Sequence, residues 1–370
     1  NKIGATEKDL IEFRKQKLEA IEKFNLNPYP SKSKRDHMAA EILANQEGLI
    51  KDQREVTVAG RLQALRGHGK LVFADLYDQS GKIQVIFRAD DLGKEFEIVS
   101  LLDLGDFVEA TGTVFVTKAG EVSVQVKNVK ILAKALRPMP EKRHGIVDEE
   151  IRLRKRYLEL MTNPETRELF IKKARFWQAT RDFLIKKGFL EVETPALETT
   201  AGGADANPFV THHDALDIDV YLRISMGELW QKRLMVGGFE KTFEIGRQFR
   251  NEGISREHLQ DYSQMEFYWA YANYEDSMKL VEELYKYIAE ETFGTLKFKI
   301  GEFDVDLSGE WKKIDYVSTI LEKQGIDVLL ATDDQIKDKL KESKIKFLPN
   351  DRRGRLIDLL WKQIRKEIAG

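Results

Sequence analysis

FEIGRQFRNEGISREHLQDYSQMEFYWAY, residues 243–271, holds two runs of period-two alternation around a polar loop. In the first run Phe243, Ile245 and Phe249 fall on one face of a strand, and Glu244, Gln248 and Arg250 on the other. In the second, Met265, Phe267 and Trp269 share a face, and Gln264, Glu266 and Tyr268 share the opposite one. The spacing predicts a hairpin with one apolar side and one side carrying an arginine, carboxylates and a phenol. A plain amphipathic hairpin would simply turn that polar side to water. The order Phe249-Arg250-Asn251-Glu252, then His258, then Glu266, suits a site floor better.

Upstream and downstream the text changes character several times. Leu10, Phe13, Leu18, Ile21 and Phe24 recur near helical spacing, with Thr6 as an N-cap, and a second short helix is predicted across Asp36–Leu49. Between residues 54 and 133, Val56/Val58, Leu71/Phe73, Ile83/Val85/Phe87, Val114/Val116 and Val122/Val124/Val126 alternate, separated by turn signals at Asp78–Gly81 and Lys118–Gly120. Five strands with a helical patch near Phe96–Leu102 after the third predict an OB-fold barrel, whose strand 2–3 face binds oligonucleotides; an uncommitted small β-barrel is the plainer alternative. A proline-bearing, then basic stretch (Arg152, Arg154, Lys155, Arg156) reads as a linker. A helix from Thr166 carries Phe170, Ala174, Trp177, Arg181 and Leu184 on one stripe and ends at Gly188; Phe189–Thr194 reads as a strand stopped by Pro195. Asp276–Glu290 reads as a helix, Leu296–Leu307 as a hairpin turning at Gly301, and the text after Trp311 as lysine-rich helices.

Bulk properties narrow the class. The 370 residues are 42% apolar and 33% charged with a net charge of −2, so any nucleic-acid contact must come from local patches. The absence of cysteine removes disulfides and thiolate zinc sites. No apolar run approaches the roughly 20 residues that span a bilayer, and the charged start carries no signal peptide, so a cytoplasmic protein is expected. The first residue is Asn1 rather than Met, so upstream residues are expected as well. Two stretches are decoys. Gly67-His68-Gly69-Lys70 lacks the spacing of a phosphate loop, and His212-His213 lacks a third zinc ligand.

The order of residues 249–266 resembles motif 2 of class II aminoacyl-tRNA synthetases, and the wider text resembles the lysyl-tRNA synthetases. The resemblance runs from about Asn25 onward. It includes Asn27-Pro28-Tyr29-Pro30, Lys134-Ala135-Leu136-Arg137-Pro138, Gly202-Gly203-Ala204 with Thr211-His212-His213, Val236-Gly237-Gly238-Phe239-Glu240 and Arg250-Asn251-Glu252-Gly253-Ile254-Ser255. It implies an α+β chain: an N-terminal five-stranded OB-fold barrel, then an incomplete class II antiparallel sheet flanked by helices. The implied parts are a helical extension (1–53), an anticodon-binding barrel (54–137), a linker (138–160) and a catalytic part (161–370). The helix–glycine–strand–proline order near Gly188 resembles motif 1, which implies a homodimer.

What the resemblance implies for chemistry is specific. Aminoacylation needs a carboxylate to attack the α-phosphate of ATP, and an arginine fork suits the two anions at once. Arg250 matches the motif 2 arginine and is the catalytic candidate. Glu252 matches the reader of the adenine amino group, Tyr262 the stacking aromatic and His258 the γ-phosphate contact, so ATP would meet Arg250, Glu252, His258 and Tyr262. L-Lysine would lie against Gly203 and Glu228 through its α-ammonium, against Glu266 and Tyr268 through its ε-ammonium, and beside Arg250. Phe73, Gln84 and Glu121, with Arg61 nearby, match positions that read the central uridine of the tRNA(Lys) anticodon. The first helix and the basic linker would add tRNA contacts.

The text also departs from the pattern. His258-Leu259-Gln260-Asp261-Tyr262 replaces the usual histidine-asparagine-proline-glutamate-phenylalanine, Asn207 replaces an arginine, and Met226-Gly227 reads as a one-residue insertion before Glu228. No glycine-rich motif 3 with its arginine follows in these residues. The chain therefore reads as the first three quarters of a synthetase, with the Mg2+ carboxylates expected beyond it and no metal ligand within. The 370 residues alone are expected to bind tRNA without charging it. The alternatives are an aspartyl- or asparaginyl-type enzyme, or a non-catalytic tRNA-binding paralogue.

Overall fold

The computed structural model describes residues 6–140, 145–253 and 258–368. It divides into two compact units, 1–164 and 165–370.

In the first unit, α1 (Glu7–Lys23) starts at a reciprocal cap: Asp9 N–H donates to Thr6 Oγ1, and Thr6 N–H donates to Asp9 Oδ2 at 2.9 Å. The expected second helix is two short ones, α2 (Ala39–Ala44) and α3 (Gln46–Lys51), broken at Asn45. The barrel follows: β1 (Glu55–His68), β2 (Leu71–Tyr77), β3 (Lys82–Arg88), the helical crossover α4 (Ala89–Leu92) and α5 (Phe96–Leu101), β4 (Phe107–Val116) and β5 (Val122–Ala133). The strands close in the order β1-β2-β3-β5-β4, with β3 and β5 parallel, the topology of an OB fold. β1 serves two neighbours: residues 55–61 pair with β4 and residues 61–68 with β2, across a bulge between Leu62 and Ala64. Gly112 lets β4 and β5 approach at the turn of the barrel: a Cβ there would lie 1.9 Å from Gln125 O.

Alternation explains the core. Val56, Val58, Leu62, Ala74, Leu76, Ile83, Val85, Phe87, Val124 and Val126 point inward, and Ile21 of α1 and Ile42 of α2 join them. Beside this core lies an ionic knot. Lys134, with no exposed surface, donates to Asp103 at 2.6 Å and to Asp106 at 2.8 Å, and Lys17 donates to Asp103 at 2.8 Å. Burial pushes the Asp103 carboxyl up, but the hydrogen bonds from Lys134 and Lys17 outweigh it and hold it below the ordinary value. Arg14 of α1 is buried and donates to the carbonyls of Leu104, Ala135 and Arg137. α1 is therefore pinned to the barrel by a charged residue as well as by Ile21. The chain then forms α6 (Glu149–Arg154) and α7 (Arg156–Thr162).

The second unit takes up α8 (Pro164–Lys186), then β6 (Leu190–Glu191), β7 (Leu197–Glu198), β8 (Val210–His213), β9 (Ile218–Leu222), α9 (Trp230–Val236), β10 (Lys241–Phe249), β11 (Asp261–Trp269) and α10 (Tyr274–Phe293). The hairpin β10–β11 is antiparallel in the register Phe243↔Phe267, Glu244↔Glu266 and Gln248↔Tyr262, so residues of one face stay together. Its apolar face, with Phe243, Ile245, Met265, Phe267 and Trp269, packs on Ala179, Phe183 and Leu184 of α8 and Leu280, Leu284 and Ile288 of α10. β6 joins β10 in parallel. The expected stripe on α8 is displaced: Ala179, Thr180, Phe183 and Leu184 are buried, whereas Leu169, Phe170, Ile171 and Phe176 are exposed. Only the C-terminal third of that helix has the hairpin beneath it.

A second small sheet, β7-β9-β8, lies beside the hairpin in the chain order. The remaining residues form β12 (Lys297–Ile300) and β13 (Phe303–Asp306), turning at Gly301 with φ +62°, and three helices. These are α11 (Tyr316–Gln324), α12 (Asp333–Glu342) and α13 (Arg353–Ile368), packed around Ile320, Ile336, Leu340, Leu356, Leu360 and Ile364. Among the described residues no helix is long and apolar enough to cross a membrane.

Candidate functional sites in the hairpin and the barrel

The polar face of β10–β11 is built over the segment Arg223–Glu228, which follows β9. Arg223 is 6% exposed and its guanidinium does three jobs. It donates to Glu244 Oε1 at 2.6 Å, to Thr194 O at 3.1 Å and to Arg247 O at 2.9 Å. Thr194 Oγ1 donates to the other oxygen of Glu244 at 2.6 Å. Glu244 is thus consumed in holding the floor together, which leaves it unavailable as a partner for Arg250. The next residues continue the support. Ile224 O accepts from Arg250 Nε at 3.3 Å, and Ser225 Oγ and Met226 N–H donate to Glu266 at 3.0–3.3 Å.

Arg250 follows β10, where Phe249 N–H donates to Arg223 O and Arg250 N–H to Gln260 O. Its guanidinium carbon lies 5.6 Å from the Tyr262 ring centre. Among the described residues Arg250 forms no ion pair, with Glu244, Glu252 or any other carboxylate. Burial raises the Tyr262 phenol pKa; Arg250 lowers it, while Glu252 and Glu266 raise it. Arg250, Glu252 and Glu266 thus all act on one phenol. His258 lies in the described part of the loop; Ile254 and Ser255 of the motif lie outside the described residues.

The other half of the floor gathers the expected amino-acid residues. Gly203, with φ +91°, stands against Glu228 and Ser225: a Cβ there would lie 2.6 Å from Glu228 Cβ and 2.9 Å from Ser225 Cβ. Glu228 accepts from Lys232 Nζ at 2.5 Å. The Tyr268 phenol is raised first by burial, then by Glu228 and Glu266, with Lys232 opposing, which puts it among those three charges. Glu266 receives Ser225, Met226 and Gln264 but no ammonium or guanidinium among the described residues. Gly203, Glu228, Glu266 and Tyr268 therefore meet in one acidic, phenol-lined place. Sequence reasoning missed Arg223, Ser225 and Gly227, which support it. The one available signal was the arginine at the end of a predictable alternating run, Ile218-Asp219-Val220-Tyr221-Leu222.

On the barrel, strand register arranges the residues that alternate with the core positions in rows, several of them buried. Arg66, Phe73, Ile86 and Gln125 form one; Ala64, Asp75, Gln84 and Ser123 form the next; Arg61, Tyr77 and Lys82 form a third. Gln84 donates to Glu121 at 2.8 Å and accepts from Ser123 Oγ at 2.9 Å, while Lys82 donates to Glu121 at 2.7 Å. The amide and carboxylate are thereby fixed beside the half-exposed Phe73 ring. Arg61 is stacked instead on Phe107, at 4.4 Å from guanidinium to ring centre, and Arg66 pairs with Asp75 at 2.9 Å. Sequence reading missed Arg66, Asp75 and Ser123.

A five-stranded OB barrel in one chain with a strand hairpin bearing this arginine and these carboxylates defines a class II aminoacyl-tRNA synthetase architecture. Comparison agrees: residues 148–349 match the family "tRNA synthetases class II (D, K and N)", and residues 56–132 match "OB-fold nucleic acid binding domain". The chain is 48% identical over 320 residues to the lysine–tRNA ligase of Carboxydothermus hydrogenoformans, covering 86% of this chain and 65% of that one. It is 41% identical to the lysine–tRNA ligases of Bacillus subtilis (96% and 72% covered) and Thermosipho africanus (97% and 73%). The chain belongs to the class II tRNA synthetases and, within them, to the lysine–tRNA ligase family. It spans about two thirds to three quarters of the length of these relatives.

Proposed function

We propose that the full-length protein activates L-lysine with ATP and transfers it to tRNA(Lys). The observation that carries the substrate is Glu266. Its carboxylate lies on the half-buried floor beside Tyr268 and Glu228, held by neutral donors and paired with no cation among the described residues. Such a carboxylate suits an ammonium at the end of an apolar stem, because a buried ammonium without a partner would be too costly. An aspartate side chain would meet repulsion there.

In this reading Gly203 and Glu228 receive the α-ammonium, Glu266 and Tyr268 the ε-ammonium. Arg250 bridges the substrate carboxylate and the α-phosphate, neutralising charge as the two anions approach. That it forms no ion pair among the described residues supports that role. Tyr262 stacks on the adenine, Glu252 accepts from its amino group, and His258 faces the γ-phosphate. Mg2+ would accompany ATP; among the described residues no cluster of three or more carboxylates or imidazoles converges to hold it. Phe73 stacks on the central anticodon uridine while Gln84 and Glu121 read its edge, with Arg61 one row beyond Gln84. Residues 54–137 act as the anticodon reader and 161–370 carry the activation site. The exposed Leu169, Phe170, Ile171 and Phe176 of α8 support a homodimer, and translation places the enzyme in the cytoplasm.

The test is amino-acid-dependent exchange of pyrophosphate into ATP by the full-length protein. Exchange with lysine, and none with aspartate or asparagine, is expected. Exchange driven by aspartate or asparagine would move the chain to a sister enzyme of the same class.

A further inference from the structure

Gly227 stands against the two residues that close the acidic end of the groove. A methyl group on its Cα would lie 2.3 Å from Glu266 Oε2 and 2.6 Å from Tyr268 Cε2. Nothing in the backbone demands glycine here: φ of Gly227 lies outside the left-handed region, unlike that of Gly203. What the position needs is close approach of the backbone to Glu266 and Tyr268.

Glu266 has little freedom to retreat from an added group. Its Oε1 accepts from Ser225 Oγ at 3.0 Å, from Met226 N–H at 3.3 Å and from Gln264 Nε2 at 2.5 Å. Among the described residues Oε2 receives only a longer contact of 3.2 Å from the same Ser225 hydroxyl. A carboxylate offers about four acceptor sites, and three donors crowd Oε1. The remaining capacity is therefore on Oε2, the atom that faces Gly227. An incoming ammonium would meet Oε2 on the side away from Gly227, whose backbone closes the other.

We propose that Gly227 sets the length of the amino-acid side chain the site accepts: the missing Cβ lets Glu266 and Tyr268 draw back against the backbone, and an added methyl would push both toward the incoming side chain. Ser225 and Met226 act with it as positioning residues that fix Glu266. The substrate class is an unbranched diamino acid with a primary ammonium, and the bulkier, planar guanidinium of arginine would not fit. The inference rests on the reading of Glu266 as the side-chain ammonium's partner.

The experiment is calorimetric binding of lysine, ornithine and ATP to the full-length protein and to Gly227→Ala. Ornithine is one methylene shorter, so it tells a shortened groove from a ruined one. Lysine affinity should fall at least about thirtyfold and the lysine-to-ornithine ratio at least about tenfold, with ATP binding within about twofold of the parent. Ser225→Ala removes a donor without adding volume, so it should weaken both amino acids alike and leave their ratio unchanged. Lysine affinity unchanged in Gly227→Ala would overturn the proposal, and so would equal losses of lysine, ornithine and ATP, which would mark a structural role alone. A parent protein that binds no lysine would refute the underlying reading instead.

Discussion

Arg223 and Glu244 form a buried ion pair, guanidinium to carboxylate at 2.6 Å with side chains 7% and 4% exposed, beneath the polar face of the hairpin. Removing one partner would strand the other, because among the described residues Glu244 has only the Thr194 hydroxyl besides. Arg223→Ala should therefore destabilise the second unit by about 3–5 kcal/mol. Urea unfolding followed by tryptophan fluorescence reads this cleanly, since all five tryptophans (Trp177, Trp230, Trp269, Trp311 and Trp361) lie in that unit. A loss under about 1 kcal/mol would place the pair among weak surface bridges.

Arg250→Ala should lower lysine-dependent pyrophosphate exchange by at least about a hundredfold, as expected for a lost charge-assisted contact to a reacting phosphate. Anticodon stem-loop binding should be untouched. Exchange within about tenfold of the parent would remove Arg250 from the reacting centre.

Phe73→Ala should weaken binding of a stem-loop with central uridine by about 1–3 kcal/mol, the contribution of stacking on an aromatic. Phe73 points outward from the barrel and is absent from its buried core, so thermal stability should change little. Filter binding with stem-loops that differ only at the central base reads both affinity and selectivity. Equal affinity for all four bases by the parent would contradict the role of Gln84 and Glu121.

The knot of Lys134, Asp103 and Asp106 gives the barrel an acid limit. The folded Asp103 carboxyl is held below its ordinary value, so its contribution is fully present above about pH 4 and is lost as pH falls through the depressed value. Lys134→Ala leaves Asp106, wholly buried, without its cation, and should cost about 3–5 kcal/mol at neutral pH. Hydrogen exchange of β3–β5 amides between pH 3 and 7 follows this unit separately from the tryptophans. Lys134→Ala exchange that matches the parent at every pH would contradict the account.

Legibility tracked the range over which a physical pattern acts. Period-two alternation placed the barrel strands and both faces of β10–β11, because each strand has one side in a core and one outside. The cap at Thr6 and the turn at Gly301 are decided by neighbours within a few residues. What stayed hidden is long-range. Arg223 reaches Glu244 across 21 positions, and no local pattern announces that Glu244 is spent as structure. The α8 stripe was misjudged because Phe170 and Ala174 are as apolar as the residues that pack. Their exposure follows from where the hairpin ends. β7 and β8 are two and four residues long, too short for alternation to mark them. Gly227 reads as an insertion until Glu266 and Tyr268 are folded against it.

The central claim is that Glu266 selects an ammonium side chain. Glu266→Gln keeps the shape and removes the charge. Calorimetry should show lysine affinity reduced at least about thirtyfold with ATP affinity preserved, because an ammonium at this half-buried place depends on the carboxylate. Lysine affinity unchanged in Glu266→Gln, or aspartate bound more tightly than lysine by the parent protein, would contradict it.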